Sequence, residues 1–160
     1  MARTVGTPAT VALERANVGF TVHHYRHDAR ATSYGAEAAA ALGVDPARVF
    51  KTLLAQVDDA LVVAVVPVSG HLDLKALAAA VGGKRATMAD PAAAQRATGY
   101  VVGGISPLGQ RRPLPTVVDI TAIDHRTIYV SAGKRGVDIE LRGEDLITLT
   151  SASTAPIARD

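Results

Sequence analysis

Lys51 sits inside VFKTLLA (49–55), a run that reads as a β-strand, so Phe50 and Thr52 fall on one face and Lys51 on the other with Val49 and Leu53. An ammonium on an apolar strand face has two fates, because burying it unpaired is very costly. Either its stem snorkels until the charge reaches water, or the charge is aimed into a cleft where it meets a carboxylate or a ligand. Asp138 poses a similar question in VDIEL (137–141), where it alternates with Val137 and Ile139 and projects to the opposite side. Lys51 is its obvious candidate partner. Gly103 and Gly104, in VGGISPLGQ (102–110), are expected directly after a strand. With no Cβ in the way, their backbone N–H groups can converge on an oxyanion or phosphate, or the pair can simply serve a loop that needs positive φ. The segment matches neither the dinucleotide-binding glycine pattern nor the nucleotide-binding P-loop.

Other residue types narrow the chemistry. The chain has 160 residues and no cysteine, which excludes disulfides, thiolate metal sites and a cysteine nucleophile of its own. Ser106 is followed by proline and lacks the G-x-S-x-G elbow, so serine hydrolase chemistry is not expected. His23, His24, His27 and Asp28 form a histidine cluster; His23 and His27 are spaced i, i+4, but the segment reads as a strand running into a loop, where that spacing does not give the helical zinc geometry. No metal site is expected from them. Arg111–Arg112, between Gln110 and Pro113, reads as a rigid exposed loop rather than a base reader. Lys134–Arg135 reads as a solvated turn that could also touch phosphates. A formal charge of +2 is too mild to identify a partner, and the basic residues look dispersed along the chain.

The positioning elements follow from caps and periodicity. A helix is expected over 7–19, with Thr7 as cap, Pro8 in the first turn and Gly19 as stop. A strand at 20–25 and an alanine-rich helix over 35–42 come next, then a helical turn at Asp45–Pro46. Strands at 49–57 and 61–68 are separated by Asp58, Asp59 and Ala60. Helices over 73–81 and 91–98 precede strands at 116–121, 127–131 and 137–141, and a short helix over 144–149. Hairpin spacings outnumber βαβ units, giving an α+β class: one domain over 1–160 with a mixed, curved β-sheet surrounded by helices. No apolar run reaches the roughly 18 residues a membrane helix needs, and no secretory leader is seen, so a soluble cytoplasmic protein is expected.

VFKTLLA (49–55), GHLDLK (70–75), the stretch from Met88 to Pro115 and IYVSAGKRGVDIEL (128–141) closely resemble the YbaK family, free-standing relatives of the editing domain inserted in bacterial prolyl-tRNA synthetases. The resemblance runs from about Thr7 to the C-terminus. It implies an essential lysine at Lys51 with Thr52 beside it, and an aromatic pocket wall at Phe20, Tyr25 and Tyr34. It also implies a glycine loop at Gly103, Gly104 and Ile105 and a late pocket at Ser131, Gly133 and Asp138. Lys51, Gly103, Gly104 and Asp138 are the expected catalytic group and the others the expected substrate-binding group. No metal or other cofactor is implied.

The implied reaction is hydrolysis of the ester between a small amino acid and the terminal ribose of tRNA, with cysteine on proline tRNA as the closest match within the family. Size alone would separate cysteine, serine and alanine poorly, since one methylene or one isosteric change is worth only about 1–3 kcal/mol. Attack by the substrate's own thiol on its carbonyl would solve this and suits a chain without cysteine. Two alternatives stay open at this stage: a broader deacylase for alanine and serine using activated water, and a non-catalytic module that binds aminoacyl-tRNA or a synthetase. The expected partner is the acceptor end of aminoacyl-tRNA, the resemblance suggests association with prolyl-tRNA synthetase, and a monomer is expected.

Overall fold

Aspartate–proline and threonine–proline junctions start several elements of the chain. In the computed structural model, which describes residues 6–28 and 34–160, Thr7 caps α1 (Pro8–Arg15) by accepting a bond from the Thr10 amide. The helix stops at Arg15 rather than at Gly19, because Asn17 takes the left-handed conformation, φ 57°. Strand β1 (Thr21–His24) and α2 (Tyr34–Leu42) follow, then a 3-10 turn (Pro46–Arg48) capped by Asp45.

The central hairpin is β2 (Phe50–Val57) with β3 (Ala60–Pro67). Its turn has two residues, not three, since Val57 pairs with Ala60 and Asp58 supplies a positive φ of 52°. Then come β4 (His71–Leu72), α3 (Leu74–Ala80), β5 (Ala86–Met88) and α4 (Pro91–Thr98), with Asp73 and Asp90 as caps. The last third holds β6 (Thr116–Asp119), β7 (Ile128–Lys134), β8 (Val137–Leu141), α5 (Gly143–Thr150), β9 (Ser153–Ala155) and β10 (Ala158–Arg159).

The strands form a five-stranded mixed sheet in the order β5-β2-β3-β6-β9, a three-stranded antiparallel sheet β1-β8-β7, and the short pair β10-β4. Strand β3 is antiparallel to β2 and parallel to β6, and its run Val62–Val66 is buried throughout. Both faces of the large sheet are covered, which explains that unbroken apolar run. Leu54, Val63, Val65 and Val118 face the main core with α1 and the small sheet, whereas Ala55, Val62, Ala64 and Val66 face Leu77 of α3 and Ile157. The strand expected to reach Thr121 ends at Asp119. The Asp119 carboxylate turns the chain there, accepting from the Thr121 amide and, at 3.0 Å each, from the Ile157 and Ala158 amides. No strand precedes Gly103; Gly99, φ 83°, ends α4 and a turn leads onward.

Candidate functional site

In β8 the alternation divides the residues cleanly: Val137, Ile139 and Leu141 enter the main core, leaving Asp138 and Glu140 on the opposite face of the small sheet. Strand β2 behaves likewise, with Phe50 and Leu54 in the main core and Leu53 against the second cluster. Where the two sheets meet, joined by a parallel bridge between Val49 and Tyr129, a cleft of about 380 Å³ opens along Val49–Leu54. That is within the range of small-ligand sites. Tyr25 and the start of α2 (Gly35, Ala38) form one wall. Met88, Ala89, Pro91 and Ala94 form another, Val102, Gly103 and Ile105 a third, and Ser131 and Asp138 close it.

The cleft therefore collects Lys51, Thr52, Tyr25, Gly103, Ile105, Ser131 and Asp138 from the residues singled out in the sequence. Phe20 instead packs against the main core, and Gly133 lies where a Cβ would come 2.7 Å from the Tyr100 ring. Gly104 is also outside the lining. Its amide donates to Val101 O at 2.9 Å, and a Cβ there would stand 2.8 Å from Lys134 Cα, so glycine is needed for close packing and not as an oxyanion donor. The Tyr34 side chain lies outside the described residues; its backbone begins α2. Met88 at the end of β5 and Ala89, Pro91 and Ala94 around the start of α4 are additions to the expected site, because apolar residues in such places carry no chemical signature in the sequence.

Lys51 Nζ donates to Gly70 O at 3.1 Å, and burial holds its pKa below the ordinary lysine value. Gly70 is itself fixed from behind, where a Cβ would lie 2.8 Å from Arg159 O of β10. Asp138 is 4% exposed, and loss of hydration pushes its carboxyl up to about 7. Among the described residues no ion pair joins Lys51 to Asp138, contrary to the pairing expected from the sequence. Burial, and then the charge of Asp138, raise the pKa of Tyr25. Thr52 Oγ1 is buried with no hydrogen-bond partner. Ser131 Oγ accepts from the Gly133 amide at 3.1 Å. Among the described residues the cleft thus holds one cation, a carboxyl pushed up to about 7 by burial, and an unsatisfied hydroxyl, all suited to a polar ligand.

Two of the five histidines bond carboxylates. His23 Nε2 meets Glu140 Oε1 at 2.9 Å, and His27 Nδ1 meets Glu37 Oε1 at 2.8 Å. Glu140 also accepts from Thr127 and lies 3.5 Å from Arg48, whose guanidinium stacks 5.1 Å from the Tyr129 ring centre. Among the described residues no three His, Asp or Glu side chains converge as a metal site, and no helix is long and apolar enough to cross a membrane.

The raised carboxyl makes stability pH-dependent. The folded chain holds the Asp138 proton to about pH 7, whereas the unfolded chain releases it near 4, so this residue's contribution falls as pH rises from about 4 to about 7. Asp138→Asn removes that loss. Urea denaturation is expected to find the variant more stable relative to the parent at pH 7.5 than at pH 4.5, by on the order of a few kcal/mol. An equal difference at both pH values would contradict it.

The chain is thus a mixed α+β domain with a cleft that holds a half-buried lysine, a glycine loop and a buried carboxyl. It belongs to the aminoacyl-tRNA editing domain family, whose model matches residues 27–149. It is 42% identical over 120 residues to EbsC of Enterococcus faecalis, assigned as a Cys-tRNA(Pro)/Cys-tRNA(Cys) deacylase; the match spans 74% of this chain and 73% of that one. Among solved structures, the fold matches hypothetical protein APE2540, with TM-score 0.86 and 22% identity over 96% of this chain and 100% of the other. It also matches a protein described as a trans-editing enzyme for prolyl tRNA synthetase, with TM-score 0.84 and 24% identity over 98% of this chain and 100% of that one.

Proposed function

We propose that this protein hydrolyses mischarged tRNA, removing cysteine from Cys-tRNA(Pro), and that the substrate's own thiol is the nucleophile. The observation that carries this reading is the content of the cleft. It offers a positioned ammonium, a buried carboxyl and a free hydroxyl acceptor, yet among the described residues no histidine lines it and the chain has no cysteine. Ser131 therefore has no imidazole beside it to activate its hydroxyl. A nucleophile brought by the substrate meets the shortage.

In the first step the cysteine sulfur, as thiolate, attacks its own ester carbonyl. A carbon–sulfur bond forms and the ester carbon–oxygen bond breaks. The ribose oxygen leaves with the proton the thiol gave up, and the amino acid becomes a thiolactone. Water then opens the ring, restoring the thiol and giving the free acid. The free thiol ionises at about 8.5, so only a few per cent is thiolate near neutrality. The Lys51 ammonium raises that share, or holds the ester, while its bond to Gly70 O keeps the charge at the cleft. Gly103, φ 91°, is the member of the glycine pair that lines the cleft and supplies the backbone dipole near the developing oxyanion. Asp138 and Thr52 Oγ1 are the partners of the substrate's α-amino group and carbonyl side.

Trans-editing fits an association with prolyl-tRNA synthetase, which is part of this proposal. The direct test is release of radiolabelled cysteine from Cys-tRNA(Pro) by the purified protein. Repeated turnover is expected; binding without any turnover would favour a sheltering module instead.

A further inference from the structure

Between Asp90 and Asp119 the chain carries Arg96, Arg111 and Arg112 and no carboxylate, and between Asp124 and Asp138 it carries Arg126, Lys134 and Arg135 and no carboxylate. Only residues 119–124 separate the two stretches, and the fold brings four of their charges, Arg96, Arg111, Lys134 and Arg135, around one loop. Val102 and Gly103 line the cleft from that loop. Arg135 Nη2 donates to Val102 O at 2.7 Å. Lys134 lies directly against Gly104, whose Cβ position is 2.8 Å from Lys134 Cα. The Arg111 amide donates to Thr98 O, and its side chain lies over Gly99, 3.5 Å from the Cβ position there. On the remaining side, Gln95 Oε1 accepts from the Val102 amide, and Arg96 follows it in the last turn of α4.

On other parts of the surface some cations do stand beside carboxylates. Arg142 is paired with Glu144, Arg48 with Glu140, and the amides of Lys84 and Arg85 sit on the Asp58 carboxylate. The segment that follows Tyr25, on another wall of the cleft, mixes Arg26 with Asp28, and Glu37 stands on α2 beside it. Among the described residues, the exposed Arg96, Arg111 and Lys134 enter no ion pair. A net charge of +2 therefore hides a segregated basic rim on one side of the cleft. A regular row of negative charges ending in an ester is its chemical complement, because cations without carboxylate neighbours gain most from phosphates and from counterion release.

We propose that the RNA strand of the substrate approaches over this rim, with Arg96, Arg111, Lys134 and Arg135 contacting its phosphates while the terminal ribose and amino acid enter beside Val102. The inference rests on the aminoacyl-tRNA reading and specifies the direction from which the RNA enters. These contacts are phosphate contacts, so they set affinity and orientation and leave base sequence unread.

The test compares R111E/K134E with K75E/K84E, an equal charge change placed on α3 and before β5. Substrates are full-length Cys-tRNA(Pro) and the phosphate-free ester cysteinyl-adenosine, and uncharged tRNA binding is followed by fluorescence anisotropy against salt. For R111E/K134E, kcat/KM on tRNA is expected to fall at least tenfold more than on the ester. The salt slope of tRNA binding should flatten by about 0.7–0.9 for each phosphate that is no longer neutralised. K75E/K84E should behave as the parent. Parental tRNA affinity and slope in R111E/K134E, or an equal loss in K75E/K84E, would overturn the proposal. Failure of the deacylase reading shows separately, as a parent protein that cleaves neither ester, and the anisotropy comparison still decides the rim.

Discussion

Lys51→Ala is expected to lower kcat/KM for Cys-tRNA(Pro) by about 10²–10³-fold or more, the loss typical when a preorganised charge is removed from the place where negative charge develops. The side chain that disappears donates to one backbone carbonyl, Gly70 O, and sits in β2 beside Leu53 of the second apolar cluster's edge. The fold should survive. Thermal unfolding followed by circular dichroism is the control, and a shift of only a few degrees is expected. Lys51→Arg should not restore the rate, because a planar guanidinium cannot reproduce a compact ammonium donating to that carbonyl within a half-buried site. A Lys51→Ala protein that folds and keeps most of its activity would remove the lysine from the mechanism.

Changing the substrate is expected to have an effect as large as changing the enzyme. With the same tRNA charged by serine or alanine, the rate should drop more than about 200-fold, beyond what one methylene or one isosteric replacement costs in a pocket. Serine is nearly the shape of cysteine and offers the same hydrogen bonds. Its hydroxyl, however, holds its proton far more firmly than a thiol, so almost no alkoxide forms for the Lys51 ammonium to stabilise. Discrimination of this size against a near-isostere needs a chemical difference, and the sulfur atom is that difference. Matched single-turnover rates for Cys-, Ser- and Ala-tRNA(Pro) measure it; rates within tenfold of one another would instead indicate water as the nucleophile and a broader deacylase.

Part of the candidate site is legible in the sequence from local rules, and Tyr25, Ile105 and Ser131 come from the family resemblance. Alternation through Val137, Asp138 and Ile139 puts the carboxylate on the face opposite the core, and the structure places it so. The caps at Thr7, Asp73 and Asp90 fix where α1, α3 and α4 begin. What alternation cannot state is what stands across from a face. It leaves Lys51 and Asp138 each in need of a partner and so suggests an ion pair, but the lysine's partner is a backbone oxygen 19 residues on, held by a two-residue strand pairing with no periodicity to reveal it. Strands β9 and β10, and the turn that Asp119 imposes by bonding the Ile157 and Ala158 amides, are nonlocal in the same way. The basic rim is hidden from a linear reading because its charges lie in two segments that look dispersed until the 134–135 turn packs on Gly104.

The central claim, that the missing thiol belongs to the substrate, is tested most directly by quenching the first turnover of Cys-tRNA(Pro) in acid and following deacylated tRNA, thiolactone and free cysteine together by mass spectrometry. The mechanism predicts that tRNA appears first, accompanied by a species equal to cysteine less one water, which then decays to free cysteine. Free cysteine rising in step with tRNA, with no such species and with Ser-tRNA(Pro) cleaved at a similar rate, would contradict it.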